Sequence, residues 1–549
     1  MKQSRYFLPI SIFLSLLIAG AAYFWANALM DSLYAYRSPL QNSPPQAGEA
    51  LGKPITRRVV MVLVDALRED TATNVQVMPY LNELRQQGAT AVTHSRTPSY
   101  SVPGYSVLMS GAWPDLSDGP TMNPEDGETP RAWTQDNLFY AAHRNGLKTA
   151  VSGYNWFEGL IPAQYRDASY FTSGEDANAD RDVVDAALPW FSGDYQLILI
   201  HIDQVDYAGH HQGGPRDPHW NQAATRADAL IKEIASQLDF SQDTFVLFSD
   251  HGQIDAGGHG GTDPIVLIEP FVAVGAGIAP GDYGDIHMVD IAPTIAALLG
   301  INIPAVNQGN VLTDMLTLTP ASKTAIEQAL AAQQATLLAA YAEAIGRPIA
   351  ASVQPLTVGA AQALIDSAKA SRLTSERIPR LLISILLFAA IGYALWKYWN
   401  RAFLWMGAGA LVYAALFHIR YALIAGRTYS LSSVASASDI VNFTAAAAAV
   451  ALVILWLALF IGLGLFKQEP HRAAESVFEL TFAILLLLSL PIAWSFISSG
   501  ATIGWALPNM LGMFIAFICI LQALVIAALG IVLSGISAVI AHFARPRSG

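Results

Sequence analysis

VVMVLVDALRED, residues 59–70, is the stretch from which the rest of the chain can be read. The apolar, mostly β-branched run Val59–Val64 passes directly into Asp65. A short continuous apolar run of this kind predicts a strand buried on both faces of a parallel sheet. Two other stretches repeat the pattern. Leu197–Ile202 is followed by Asp203, Asp206 and His210, and Thr244–Phe248 by Ser249, Asp250 and His251. In an open parallel sheet the C-terminal strand ends share one edge, and ligands bind there. A single Asp at a strand end is ordinarily a cap or turn residue. Three such ends, two with histidine close by, predict a cluster that suits hard or borderline cations such as zinc or manganese. His259 joins the candidates because Gly257, Gly258, Gly260 and Gly261 surround it and permit close backbone approach. Lys148–Val151 and Phe271–Val274 read as further strands, Pro79–Gln87 and Gln135–Asn145 as helices. The fold class expected for residues 44–313 is therefore α/β, a mostly parallel sheet flanked by helices.

The rest of the chain is of a different kind. It has 549 residues, enough for two or more domains, with 13% charged and 53% hydrophobic residues and a mean hydropathy of +0.36. These values exclude a simple soluble enzyme and a disordered chain. A net charge of −12 argues against a nucleic-acid partner, and a lone Cys519 excludes disulfide frameworks and cysteine-rich metal knuckles. The charge is unevenly spread: residues 1–43 carry +2, 44–379 carry −19 and 380–549 carry +5. Tyr6–Met30 is 25 residues without a charge, enough to cross a bilayer core. Small residues at Ala19-Gly20-Ala21 offer a signal-peptide reading, but the apolar run is too long for a typical signal core, which favours an uncleaved anchor. Five more apolar runs follow, near 381–397, 402–424, 440–466, 477–497 and 507–541, the last tilted, broken at Gly530 or partly interfacial. The expected organisation is an anchor and linker (1–43), an acidic α/β domain (44–313), an Ala- and Gln-rich helical stalk (314–379) and a membrane domain of about five helices (380–549). Lys2, Arg5, Lys397–Arg401, Lys467–Arg472 and Arg545–Arg547 place both termini in the cytoplasm, with Arg427 outside. The acidic domain is then extracytoplasmic, periplasmic or luminal.

Five segments in order, VLVDALRED (62–70), TPSYSVPGYSVLMSGAWP (97–114), HIDQVDYAGHHQGG (201–214), SDHGQIDAGGHGG (249–261) and VDIAPTIAALLG (289–300), resemble the alkaline phosphatase superfamily. The likeness is to its type I phosphodiesterase/nucleotide pyrophosphatase branch, nearest to the GPI ethanolamine-phosphate transferases, and covers about residues 57–310. The resemblance implies two divalent metal ions, zinc first and manganese second. One would be held by Asp206, His210 and His259, the other by Asp65, Asp250, His251 and the nucleophile oxygen of Ser101. Alignment on Pro103 and the 110–114 segment sets that register, with Ser99 as the fallback. Asn123 resembles the amide that helps hold the phosphoryl oxygen. A sulfatase would need Arg where Tyr105 stands, so formylglycine chemistry is not expected.

The function implied is a membrane-anchored two-metal phosphotransferase or phosphodiesterase, in which a metal-activated serine attacks a phosphate ester. Its substrate would be a phosphate ester, phospholipid or glycolipid, and membrane lipids its surroundings. A tethered phosphomonoesterase and a catalytically degenerate transport or assembly protein are the alternatives. His418, Arg420 and Arg427 read as snorkelling side chains at the outer end of a span. His94, His211 and His219 read as surface or supporting histidines.

Overall fold

The computed structural model describes residues 7–125, 127–347, 360–398, 401–434 and 436–544. Lys2, Arg5, the basic tail at Arg545–Arg547 and the 348–359 part of the expected stalk lie outside the described residues. Eight strands form one sheet: β1 (Arg58–Val64), β2 (Ala89–His94), β3 (Thr149–Tyr154), β4 (Ala168–Thr172), β5 (Leu197–Ile202), β6 (Asp243–Phe248), β7 (Ile268–Gly275) and β8 (Gly281–His287). Their order is β4-β3-β5-β1-β6-β7-β2-β8. Only β7 runs antiparallel, against both β6 and β2, so the sheet is mixed and mostly parallel, as expected.

The three diagnostic runs lie side by side in the middle. β1 pairs in parallel with β5, Val64 opposite Ile202, and with β6, Leu63 opposite Phe248. Every residue of these strands is buried, because helices cover both faces. The register brings Asp65, Asp203 and Ser249 out on one edge.

Two strands are longer than the apolar runs that announce them. β3 continues beyond the expected Lys148–Val151 through Ser152-Gly153-Tyr154, which pair with β4 as far as Tyr154 opposite Thr172. β7 extends beyond Phe271–Val274 at both ends because ladders on either side hold it. The Pro79–Gln87 helix forms with the expected bounds. The helix expected over Gln135–Asn145 is Leu138–Arg144, since the Asn137 side chain caps Phe139 and Tyr140 N–H and sets its start.

Among the described residues, six helices are long and apolar enough to cross a membrane, giving the architecture of an integral membrane protein. The second, Ala360–Tyr398, carries a polar first half straight into its apolar half without a break. There Leu382, Ile385, Leu386 and Leu387 project outward with half or more of their surface uncovered, as lipid-facing side chains do. The last run is one unbroken helix, Met510–Phe543. Gly530 does not break it. A Cβ there would come within 2.6 Å of the Thr481 side chain, so the missing side chain lets this helix pack closely on Pro470–Ser499.

The sheet domain sits on one end of this bundle. After the Phe7–Tyr34 helix, the Arg37 guanidinium meets the fully buried Asp118 carboxylate at 3.0 Å. The same carboxylate accepts Ser38 N–H at 2.7 Å and the Thr134 hydroxyl at 2.5 Å. Asp118→Ala strips all three donors of their acceptor and is expected to cost about 2 kcal/mol. A lowered melting temperature in detergent would show it; an unchanged one would mean that the cluster holds nothing.

Candidate active site

Each candidate side chain is placed by a different element. Asp65 follows β1, and Asp250 and His251 follow β6. Asp206 and His210 stand one turn apart on the Gln204–His211 helix, which starts at the end of β5. Asp180, from the Ala177–Ala187 helix, fixes that start by accepting Asp203 N–H at 2.8 Å and Gln204 N–H at 3.1 Å. Removing it in Asp180→Ala leaves two buried N–H groups unsatisfied, for a loss of about 2–4 kcal/mol. Denaturant unfolding in detergent tests this, and a wild-type midpoint would refute it.

Ser101 is the first residue of the Ser101–Ser110 helix. Asn123 brackets it, with Oδ1 accepting Val102 N–H at 3.0 Å and Nδ2 lying 3.3 Å from Ser101 Oγ. Ser101 Oγ is also 3.2 Å from His251 Nε2. Ser99 points elsewhere, its hydroxyl donating to the Gly261 carbonyl at 3.1 Å.

Two donor clusters result. In one, His210 Nε2 lies 2.9 Å from His259 Nε2 and 3.4 Å from Asp206 Oδ2. In the other, His251 Nε2 lies 3.4 Å from Asp65 Oδ1 and 3.3 Å from Asp250 Oδ2. His251 and His259 stack with ring centroids 3.8 Å apart, which joins the two. The outer nitrogens set the ring orientation. His251 Nδ1 meets the Gly252 carbonyl at 3.0 Å and His259 Nδ1 the Ser99 carbonyl at 3.2 Å, so each Nδ1 carries the hydrogen and each Nε2 lone pair faces inward. Burial, then the facing His251, hold the His259 ring well below its usual pKa, in the neutral form that ligates cations.

These residues fit a cation-binding site. Asp65 Oδ1 and Asp250 Oδ2 are buried and have no hydrogen-bond partner among the described residues. Burial, reinforced by the charge of Asp65, pushes the Asp250 carboxyl well above its usual range, so positive charge at this point would relieve a real electrostatic cost. Asp206, His210 and His259 bring donor atoms within 4.8 Å of one another, as do Asp65, Asp206 and His251. The His210 side chain is 35% exposed whereas His251 is fully buried, which puts the opening on the His210 side.

Two contributors, His201 and Gln253, are not among the candidates read from the sequence. His201, inside β5, places Nε2 2.9 Å from Asp65 Oδ2, and the Tyr105 hydroxyl donates to the same oxygen. Burial and Asp65 raise the Tyr105 hydroxyl, which keeps its proton and its donor role. Gln253 donates to Asp206 Oδ1 at 2.6 Å. Asp65, His201 and Asp203 form a third close donor group. Outside the site, His94 faces Asp285 and His219 faces Asp217, both exposed. His418 meets the Tyr429 hydroxyl, and Arg420 lies over the Phe443 ring.

Residues 59–331 match the family model described as type I phosphodiesterase / nucleotide pyrophosphatase. The human GPI ethanolamine phosphate transferase 2 catalytic subunit is 26% identical over 295 residues, covering 49% of this chain and 29% of that protein. GPI ethanolamine phosphate transferase 2 of Schizosaccharomyces pombe is 29% identical over 306 residues, covering 50% of this chain and 40% of its own length. The chain thus spans less than half the length of these relatives. Human ectonucleotide pyrophosphatase / phosphodiesterase 5 aligns over 48% of this chain and 100% of its own with a TM-score of 0.40 and 14% identity. Strands that end in carboxylate and imidazole, converging within the matched segment, are carried by residues 59–331 as a domain of the type I phosphodiesterase/nucleotide pyrophosphatase family.

Proposed function

We propose that this protein is a metal-dependent phosphoryl-transfer enzyme of the membrane, acting on phosphodiesters, with Ser101 as nucleophile. The observation that carries this reading is Ser101 Oγ, held at a helix start 3.2 Å from His251 Nε2 and 3.3 Å from Asn123 Nδ2, beside two acid–imidazole clusters. Asp206, His210 and His259 would hold one divalent cation, and Asp65, Asp250 and His251 a second. Such cations supply Lewis acidity, which lowers the pKa of the serine hydroxyl and offsets charge on the phosphoryl oxygens. Zinc suits the mixed oxygen and nitrogen donors best, and manganese next.

The chain's own groups then divide the work. Asn123 orients the hydroxyl and offers its amide to a phosphoryl oxygen. Tyr105 and His201 hold Asp65 in place, and Gln253 holds Asp206. Ser101 loses its proton to solvent and forms a new oxygen–phosphorus bond as the first alcohol leaves and takes up a proton. An acceptor alcohol or water then attacks phosphorus, breaks the Ser101–phosphorus bond and gives up its own proton. The relatives' names point to a phosphoethanolamine group moved between lipid-linked partners. The basic residues flanking the spans support an extracytoplasmic position for the sheet domain, with both termini cytoplasmic.

Rates on aryl phosphate diesters and monoesters test the reading. Diester turnover should exceed monoester turnover by at least about tenfold; the reverse preference would favour a tethered phosphomonoesterase.

A further inference from the structure

The loop that carries His259 does not rest on the sheet domain alone. It lies against a turn of the membrane bundle, Leu431–Ser433, between the apolar Arg401–His418 and Ala437–Gly462 helices. Ser432 Oγ accepts Gly261 N–H at 3.0 Å, and Ser430 Oγ accepts Thr262 N–H at 2.8 Å. At Gly258, where φ is +120°, a Cβ would lie 2.4 Å from the Ser432 carbonyl oxygen, so the two main chains touch without room for a side chain. Ser430 and Ser432 are themselves buried, at 4% and 1% exposure.

The turn is braced from its own side. Arg427 pairs with Asp439 at 2.7 Å, and Thr428 N–H donates to Ser433 Oγ at 2.9 Å. Tyr429 stacks on Tyr421 with ring centroids 4.9 Å apart and meets His418 Nδ1 at 2.5 Å. The bundle also reaches the site's other wall. Tyr100 and Met122, the residues immediately before Ser101 and Asn123, pack into its apolar cluster, and the Thr121 hydroxyl donates to the Leu33 carbonyl at 2.5 Å.

We propose that Ser430 and Ser432 are positioning residues for the cation site of Asp206, His210 and His259, so that the membrane bundle helps to set metal affinity besides anchoring the enzyme. This rests on the metal reading above. A glycine-rich loop has little conformational preference of its own, and the Gly261 and Thr262 N–H groups add fixed points on the bundle side to those that Ser99 and Ile254 supply from the sheet domain. Loss of their acceptors lets His259 drift from Asp206 and His210, and outer supports of this type change metal affinity about 10–100-fold.

The test is zinc affinity of the purified full-length protein, measured by competition with a chromogenic chelator, for wild type, Ser432→Ala and the Ser430→Ala/Ser432→Ala pair. Asp118→Ala serves as control, since it cuts another contact between domain and bundle while leaving the His259 loop untouched. The pair should weaken the more exposed zinc site about 10–100-fold and Ser432→Ala by less, whereas Asp118→Ala should lower the melting temperature and keep wild-type affinity. Should the pair fail to fold, Ser432→Ala alone carries the comparison. Wild-type affinity in the serine variants would overturn the positioning role. Failure of the wild type to bind zinc or manganese would overturn the metal reading itself, and this role with it.

Discussion

Ser101→Ala should lower kcat/KM on a phosphodiester by at least about 10³-fold while leaving the fold and metal content intact. The substitution removes one oxygen, and its neighbours His251 and Asn123 keep their other partners: His251 Nδ1 the Gly252 carbonyl, Asn123 Oδ1 the Val102 N–H. Wild-type enzyme quenched during turnover and mapped by mass spectrometry should carry an adduct on the peptide containing Ser101, with a mass that identifies the transferred group. Ser99→Ala is the matched control. Its hydroxyl serves the Gly261 carbonyl 3.1 Å away, so its loss should act weakly, through the His259 loop. An adduct on Ser99, or full activity in Ser101→Ala, would reassign the nucleophile.

The second large effect is metal removal. Stripping with a strong chelator should leave below about 1% of the activity, and zinc or manganese should restore it. Stability should move in parallel, because ions that bind only the folded state stabilise it. At a hundredfold excess over Kd one site contributes about 2.7 kcal/mol, readable as a raised melting temperature. His259→Ala and Asp206→Ala should each abolish part of that thermal shift as well as the activity. Asp65→Ala should have the broader effect. Asp65 faces His251 as well as His201 and Tyr105, so its loss disturbs both the second cluster and its support. A stripped enzyme with undiminished turnover would end the metal-dependent account.

How much of this was legible in advance follows from where the information is stored. Asp65, Asp206, Asp250 and His251 announce themselves because each follows an apolar run within four residues, and His210 one helical turn after Asp206; a parallel sheet gathers such ends on one edge whatever the details of packing. The six apolar helices were legible for a similarly local reason, since spanning a bilayer demands length and hydropathy that no neighbour can supply. Gly530 shows the limit of local reading. In sequence a break there is one of three readings, yet the helix runs on unbroken and Thr481 of the neighbouring helix packs against the space a side chain would take.

His201 shows the same limit within the site. It sits in a strand of apolar residues, where a histidine reads as core, and acquires a role only because β5 lies beside β1 and turns it toward Asp65, 136 positions earlier. Asp180 was equally silent, its two acceptor oxygens mattering only once the start of the Gln204–His211 helix is brought to it. The link from Ser432 to Gly261 spans 171 positions and joins a turn of the apolar bundle to the loop that carries His259. Strand ends, apolar spans and the glycine-flanked histidine are consequences of local residue order, so the chain alone determined the fold class and which side chains are candidate donors. The support of those donors, and the docking of the membrane bundle against them, depend on hydrogen bonds between distant segments. Only tertiary packing decided those, because a buried polar group is satisfied by whichever partner the fold delivers.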